Sequence, residues 1–272
     1  MNRLTSNLNH LILITGLFLM IIPVWVIFAS STHTSLFINT NGLQFILGDS
    51  FIENYSKVLF KKSGFFQEIT AMKMFLNSFI MATGIATLSV ATSLMAAYGL
   101  VYFRIKYASL FFWLIFITLL VPLELRIMPT YEVMSKLNLI NSYMGLILPI
   151  SASAIATFFF RQFYKSVPDE LLEAAKLDGA NSWKFFIDFL VPLSKTMIAA
   201  VFIFMFVFGY NQYLWPLIMT TTEQYWTVVM GLKTMYGSIS QRFAFVIMSM
   251  IPPVLIIIFL QRWFIQGIFQ NK

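Results

Sequence analysis

Cysteine is missing from this sequence, which excludes disulfides, thiolate metal sites and cysteine nucleophiles. Histidine occurs only at His10 and His33, which cannot make the usual zinc sites; each reads as a terminal or loop residue. Charge is also scarce, at 11% of 272 residues, where ordinary soluble domains carry about 25%. There is no Gly-x-x-x-x-Gly-Lys-Ser/Thr loop to cradle nucleotide phosphates, no His-Glu-x-x-His and no Gly-x-Ser-x-Gly, so no catalytic set is expected. The net charge of +7 comes from basic residues scattered between apolar runs, without interleaved aromatics. It fits lipid headgroups and membrane topology, and excludes nucleic acid as a partner.

What the chain does contain is apolar: 59% of its residues, with 30 Phe and 16 Met that no soluble fold would accommodate. Six runs stand out, at about Leu11–Phe28, Phe75–Tyr98, Ser109–Leu125, Met144–Phe160, Thr196–Met219 and Ala244–Phe264. A helix of about 20 residues reaches about 30 Å, so each run is near the length needed to cross a bilayer. The expected fold class is therefore all-α: a polytopic membrane protein with six transmembrane helices, forming one membrane domain over 1–272. The first run resembles a signal peptide in outline, but it exceeds a usual h-region and Phe28-Ala29-Ser30 is a poor cleavage site, so a retained span is favoured. Residues 30–73, with Asn41-Gly42 and Lys61-Lys62-Ser63-Gly64 as loop signals, are too short and irregular for an independent domain but can carry a surface helix. In the second run Ala82, Ala86, Ser89, Ser93 and Ala97 form a small-residue stripe, expected to be a packing face.

Six crossings put both termini on one side. Ten of the basic residues fall on that side and eight on the other, and the margin widens when residues flanking short loops are weighed (Arg104, Lys106, Arg161, Lys165, Lys195 and Arg262). The termini are therefore expected in the cytoplasm. Two places hold polar groups at membrane depth. Glu124 and Arg126, which would cost about 2.5–3.5 kcal/mol each if central, either end a span near the outer interface or line a pathway in which Arg126 attracts an anion and Glu124 orients it. Asn211 and Gln212 either bond a neighbouring helix or line a watery route, and Tyr213 and Trp215 are core aromatics or solute platforms.

The most charged part of the chain is one loop, Arg161 to Lys195, which cannot lie in hydrocarbon. Within it, Ser166 to Gly179 reads as one terminated helix. Ser166 is a candidate cap, Pro168 suits the first turn, Asp169 and Glu170 favour the positive end, Lys176 lies in the last turn and Gly179 can close in the left-handed region. Leu171, Leu172, Ala174 and Ala175 are expected to share an apolar face, and Asp169, Glu170, Glu173 and Lys176 a charged one. Ser182–Leu190, apolar nearly all round except for Lys184 and Asp188, is expected at the membrane surface, holding the first helix out towards a soluble partner. If the protein moves solute with ATP, another chain must bind the ATP.

The spacing Glu173-Ala174-Ala175, three residues, Gly179, nine residues, Phe189-Leu190-Val191-Pro192 resembles the EAA loop of binding-protein-dependent ABC importer permeases, with Phe189 and Val191 in place of that pattern's Ile and Leu. The likeness extends to Phe111–Thr130, Phe158–Phe163 and Tyr210–Pro216, which are similar to the carbohydrate branch of that family and most of all to permeases of sn-glycerol-3-phosphate importers. The resemblance implies a multi-pass subunit of a bacterial inner membrane, paired with a homologous second permease, two copies of an ATPase and a periplasmic substrate-binding protein. It implies no cofactor in this chain, ATP and magnesium being bound by the ATPase, and an ATPase-coupling role for Glu173, Ala174, Ala175 and Gly179. A permease for a neutral sugar or oligosaccharide stays open beside it. So do an ATP-independent secondary transporter, which would need paired broken helices and coupling acids, and a membrane scaffold.

Overall fold

The computed structural model describes residues 3–60, 69–103 and 105–269, leaving aside the side chains of 3–7, 123 and 262–269. Lys61-Lys62-Ser63-Gly64, Arg104 and Lys272 lie outside the described residues, as do the side chains of Arg3 and Arg262. The described elements are helical: α1 Arg3–Ser31, α2 Ser35–Asn41, α3 Phe51–Phe60, α4 Ala71–Tyr102, α5 Ala108–Ile117, α6 Leu123–Lys136, α7 Tyr143–Ser151 and α8 Ala154–Ser166. They continue with α9 Asp169–Leu177, α10 Ser182–Lys184, a π-helical turn Phe185–Leu190, α11 Val191–Leu193, α12 Lys195–Tyr210, α13 Leu214–Met219, α14 Val228–Thr234 and α15 Ile239–Phe269.

Among the described residues, unbroken apolar helices of membrane-crossing length number three, at Leu8–Ser31, Ala71–Tyr102 and Ile239–Gln261. Three further helix pairs bend at a break: Ala108–Leu120 with Glu124–Lys136 at 106° and Tyr143–Ser151 with Ala154–Ser166 at 46°, which overlap the third and fourth expected spans, and Ser182–Leu193 with Lys195–Tyr210 at 73°, which joins the expected surface segment to part of the fifth. The third expected span therefore stops at Leu120 and not at Leu125, because Val121 and Pro122 are extended (ψ 111 and 145) and Pro122 has no N–H with which to continue the ladder. The fourth breaks at Ala152-Ser153, and the fifth, expected to run to Met219, ends at Tyr210.

By internal contacts the chain divides into two units, residues 1–76 with 227–251 and residues 77–226 with 252–272. In the first, the end of α1 is the frame on which 32–60 folds. Its Ser30, Ser31 and Thr32 are fully buried because each captures a loop group. Gln44 N donates to Ser30 Oγ (2.9 Å), Gly48 N to Thr32 Oγ1 (2.6 Å), and Asn54 Nδ2 to Ser31 O (2.9 Å) and His33 O (2.8 Å). Ser31 O–H donates to Phe28 O, so the Tyr55 phenol 2.9 Å away is the donor in their shared bond; burial, the larger influence, raises the phenol's pKa and the Ser31 bond opposes it, so the proton stays on Tyr55 at neutral pH. His33 bonds Ile46 O and stacks on Phe37, a loop residue as expected, and α2 and α3 are the surface helices that this stretch can carry. In the same unit α14 approaches α4 and α15 closely because Gly231 has no Cβ; one built there would meet Met74 Sδ at 2.5 Å.

In the second unit the small stripe of α4 is buried as expected, with Ala82, Ala86, Ser89 and Ala97 at 0% exposure. It packs against the break between α7 and α8. Ser89 Oγ donates to Ser151 O (2.7 Å), Ser93 Oγ to Ser153 O (3.3 Å), and Thr157 Oγ1 to Ser93 Oγ (3.2 Å). The carbonyls released by the kink are thus taken up by the serines that small size placed there. The loops at the opposite end from α9 are tied by two asparagines. Asn77 Nδ2 donates to Gln224 O and Trp226 O while its Oδ1 accepts from Tyr143, and Asn141, at φ 54, accepts from the N–H groups of Thr221 and Thr222.

Membrane interhelical hydrogen bonds are worth about 0.6–2 kcal/mol each, whereas a bulky residue in the stripe separates two helices. Ser89→Leu is therefore expected to lower the thermal midpoint of the detergent-solubilised protein well below that of Ser89→Ala, which itself falls modestly. Equal midpoints for the two, read by tryptophan fluorescence, would contradict the close-packing role.

Candidate functional site

The charged loop folds into a jointed projection. Helix α9 begins at Pro168, whose φ of −61 suits a helix entry. Ser166 does not cap it: that residue ends α8, with Oγ donating to Phe163 O. Asp169 and Glu170 occupy the first turn and Lys176 the last. At the other end Gly179 takes φ +76, and the bonds Ala180 N to Ala175 O (2.9 Å) and Asp178 N to Ala174 O (3.1 Å) complete a left-handed closure. Only Leu171, Leu172 and Ala175 turn inward; Ala174 is exposed with Glu170 and Glu173. The expected four-residue apolar face is narrower for a geometric reason: at 100° per residue Ala174 lies on the far side of Ala175 from Leu172. Leu177, 89% exposed, completes the outward face, so an apolar side chain projects among carboxylates. The helical angle alone, applied to Leu177, would have found it.

Beneath α9 lies a small cavity of about 140 Å³ whose walls include Tyr98, Tyr102, Leu172, Ala175 and Phe185. The end of α4 supplies the seat. Tyr98 O–H donates to Ser182 O (2.7 Å), Tyr98 lies 4.9 Å from the Phe186 ring and Tyr102 5.4 Å from that of Phe185. Phe185, Phe186 and Leu190 are buried while Trp183 is 64% exposed, so Ser182–Leu193 has one anchored side and one apolar free side. Its π turn lies just before Pro192, and a wider turn accommodates a residue that lacks an N–H. Tyr98 and Tyr102 thus tie the end of α4 to Ser182–Leu193, which meets α12 at a 73° elbow.

The candidate pathway residues separate into two places. Arg126 is on the wall of a cavity of about 190 Å³ with Thr118, Ser153, Met205, Phe208 and Trp215. Asn211 and Gln212 lie on a more open, mostly apolar cavity of about 630 Å³ with Val207, Ile257 and Gln261. Gln212 Nε2 bonds Phe208 O of its own helix end, so that amide serves the broken backbone and not a neighbouring helix. Glu124 borders neither cavity among the described residues, and no ion pair there joins it to Arg126. Two positions apart on α6, they point about 200° from one another, which rules out the orienting pair that the sequence allowed. Tyr213 is half-buried, and Trp215 is a wall of the Arg126 cavity at 1% exposure.

Residues 89–270 match the family described as binding-protein-dependent transport system inner membrane component. The chain is 40% identical over 277 residues to the sn-glycerol-3-phosphate transport system permease protein UgpE of Brucella melitensis, covering 99% of this chain and 98% of that protein. It is 41% identical over 269 residues to the protein of the same name in Yersinia pestis bv. Antiqua, covering 97% and 95%. Its fold is similar to a chain in the crystal structure of a bacterial ABC transporter involved in the import of the acidic polysaccharide alginate, with TM-score 0.76 and 22% identity over 96% of this chain and 97% of that one. With a family match over two thirds of its length and relatives at about 40% identity across nearly all of it, this chain belongs to the inner-membrane components of binding-protein-dependent transport systems.

Proposed function

We propose that this chain is the permease subunit of an ATP-driven importer for sn-glycerol 3-phosphate and related glycerophosphodiesters. The observation that carries the substrate is the near full-length likeness to permeases named for that solute. The cavity beside Arg126 is in keeping with it, because a guanidinium fork is matched to phosphate oxygens. The working assembly is this subunit with a homologous second permease, two ATPase copies that bind ATP and magnesium and carry out the hydrolysis, and a periplasmic binding protein that delivers the solute. The termini and α9 face the cytoplasm.

In this reading α9 is the contact for the ATPase. Glu170, Glu173, Ala174 and Leu177 form the presented face, Gly179 holds the closing turn, and the aromatic seat under α9 conveys its displacement. When ATP draws the ATPases together, paired loops approach and the helices tilt from inward- to outward-facing; hydrolysis resets them. Driving such an equilibrium from almost all of one state to almost all of the other takes about 5.5 kcal/mol of differential interaction, which a loosely held loop could not deliver.

Glu173→Lys is expected to leave the subunit inserted and assembled in proteoliposomes while abolishing stimulation of ATP hydrolysis by loaded binding protein. Normal stimulation would reject the docking role. Arg126→Ala, which removes a charge-assisted hydrogen bond, is expected to weaken glycerol 3-phosphate uptake by roughly ten- to a hundredfold while sparing any neutral solute that the system accepts. Equal loss for charged and neutral solutes in the same vesicles would remove the anion-pairing role, and uptake of neutral sugar alone would replace the substrate.

A further inference from the structure

Beyond the end of α1, a loop and not a helix presents a run of bare apolar side chains. From Gly42 the chain continues Leu43-Gln44-Phe45-Ile46-Leu47-Gly48 without a charged residue. Leu43, Phe45, Ile46 and Leu47 are all exposed, Ile46 to 79%. An apolar patch of this kind marks a surface that meets something other than water.

The backbone of the loop is held as if water were scarce. Gln44 N donates to Ser30 Oγ (2.9 Å) and Gly48 N to Thr32 Oγ1 (2.6 Å), while Phe45 O accepts from Trp25 Nε1 (2.9 Å) and Ile46 O from His33 Nε2 (2.9 Å). A loop in bulk water can leave such groups to the solvent. One lying against acyl chains cannot, and its polar groups have to be taken up by the protein.

Trp25 sets the level at which this happens. From Arg3 to Trp25 the α1 helix rises about 33 Å, close to the roughly 30 Å of a hydrocarbon core, so a basic residue stands at one boundary and a tryptophan at the other. The helix goes on to Ser31, about 9 Å further, and the loop folds back over that length until Phe45 meets the indole. Trp25, Phe28, Phe51 and Tyr55 form a row of rings, with successive centroids 5.7, 6.3 and 4.3 Å apart. Aromatic side chains of this amphipathic type gather where acyl chains give way to headgroups.

We propose that residues 43–47 are a membrane-anchoring loop, with the backbone at headgroup level, fastened to α1, and Leu43, Phe45, Ile46 and Leu47 entering the acyl boundary of the lipid. Side chains on an interfacial segment reach about 5–10 Å into that boundary, which is within the span of a phenylalanine or leucine from a backbone at the level of Trp25. Lipid is the partner because Trp25, itself exposed, makes the surface continuous with the exposed apolar side of the membrane-crossing helix α1. In the orientation proposed above this is the outer leaflet, and the anchor does not depend on which solute is carried.

The chain contains no cysteine, so Ile46→Cys accepts a single nitroxide label, at a site too exposed for the substitution to disturb packing. The labelled subunit is assembled into the importer, with other subunits free of reactive cysteine, and placed in phospholipid vesicles. Collisions of the label with oxygen, which concentrates among acyl chains, are expected to exceed severalfold those with a water-soluble nickel chelate. Leu47→Cys supplies a second site should the first variant fail to assemble. Collisions mainly with the chelate would put the loop in water and overturn the proposal. Few collisions with either reagent would mean that a protein subunit covers the loop, and would overturn it as well.

Discussion

A backbone amide in hydrocarbon has no water to fall back on, and this constraint organises the membrane-depth parts of the molecule. Continuous helices meet it internally. Where a helix is interrupted, the released groups must be captured, and small polar side chains perform the capture. Ser89 and Ser93 take the carbonyls at the α7–α8 kink, and Gln212 bonds Phe208 O and Thr220 bonds Pro216 O around α13. The same chemistry outside the long helices uses asparagines, Asn54 at the end of α1 and Asn77 and Asn141 over the loops near α13. Breaks supported in this way leave space beside them, and both cavities with candidate pathway residues border such a break.

The charged loop solves a different problem. In the proposed importer, the loop has to offer a surface that a soluble partner can grip and a stiff route from that surface into the membrane. The outward face of α9 offers carboxylates around one protruding leucine. The inward side borders a small cavity with Tyr98, Tyr102 and Phe185, and the rings of Tyr98 and Phe186 and of Tyr102 and Phe185 are 4.9 and 5.4 Å apart. The elbow into α12 then links that joint to a helix carrying Phe204, Met205 and Phe208, walls of the Arg126 cavity. In the proposed reading, coupling and passage share one helix.

Prolines show how far the breaks could be foreseen. Pro23, Pro129, Pro149, Pro252 and Pro253 all lie inside helices that continue past them. Of the interruptions in the bent pairs, only the one after Leu120 coincides with a proline, at Pro122. The kink at Ala152-Ser153 has no local breaker; it exists because serines on another helix can satisfy what it releases. Likewise Glu124 and Arg126, neighbours in the chain and natural partners by charge, are turned apart by the helix that carries them.

Composition and spacing alone determined that the chain is helical and membrane-bound and that one charged helix closes at Gly179, because hydrophobic run length and turn residues are local properties of the chain. Which spans bend, that Leu177 projects while Ala175 hides, and that Arg126 shares a cavity with the buried indole of Trp215 were decided only by tertiary structure. Each of these depends on side chains brought together from α4, α6, α7, α8, α12 and α13, and a helix in lipid breaks only where a partner distant in sequence can hold the groups that the break exposes.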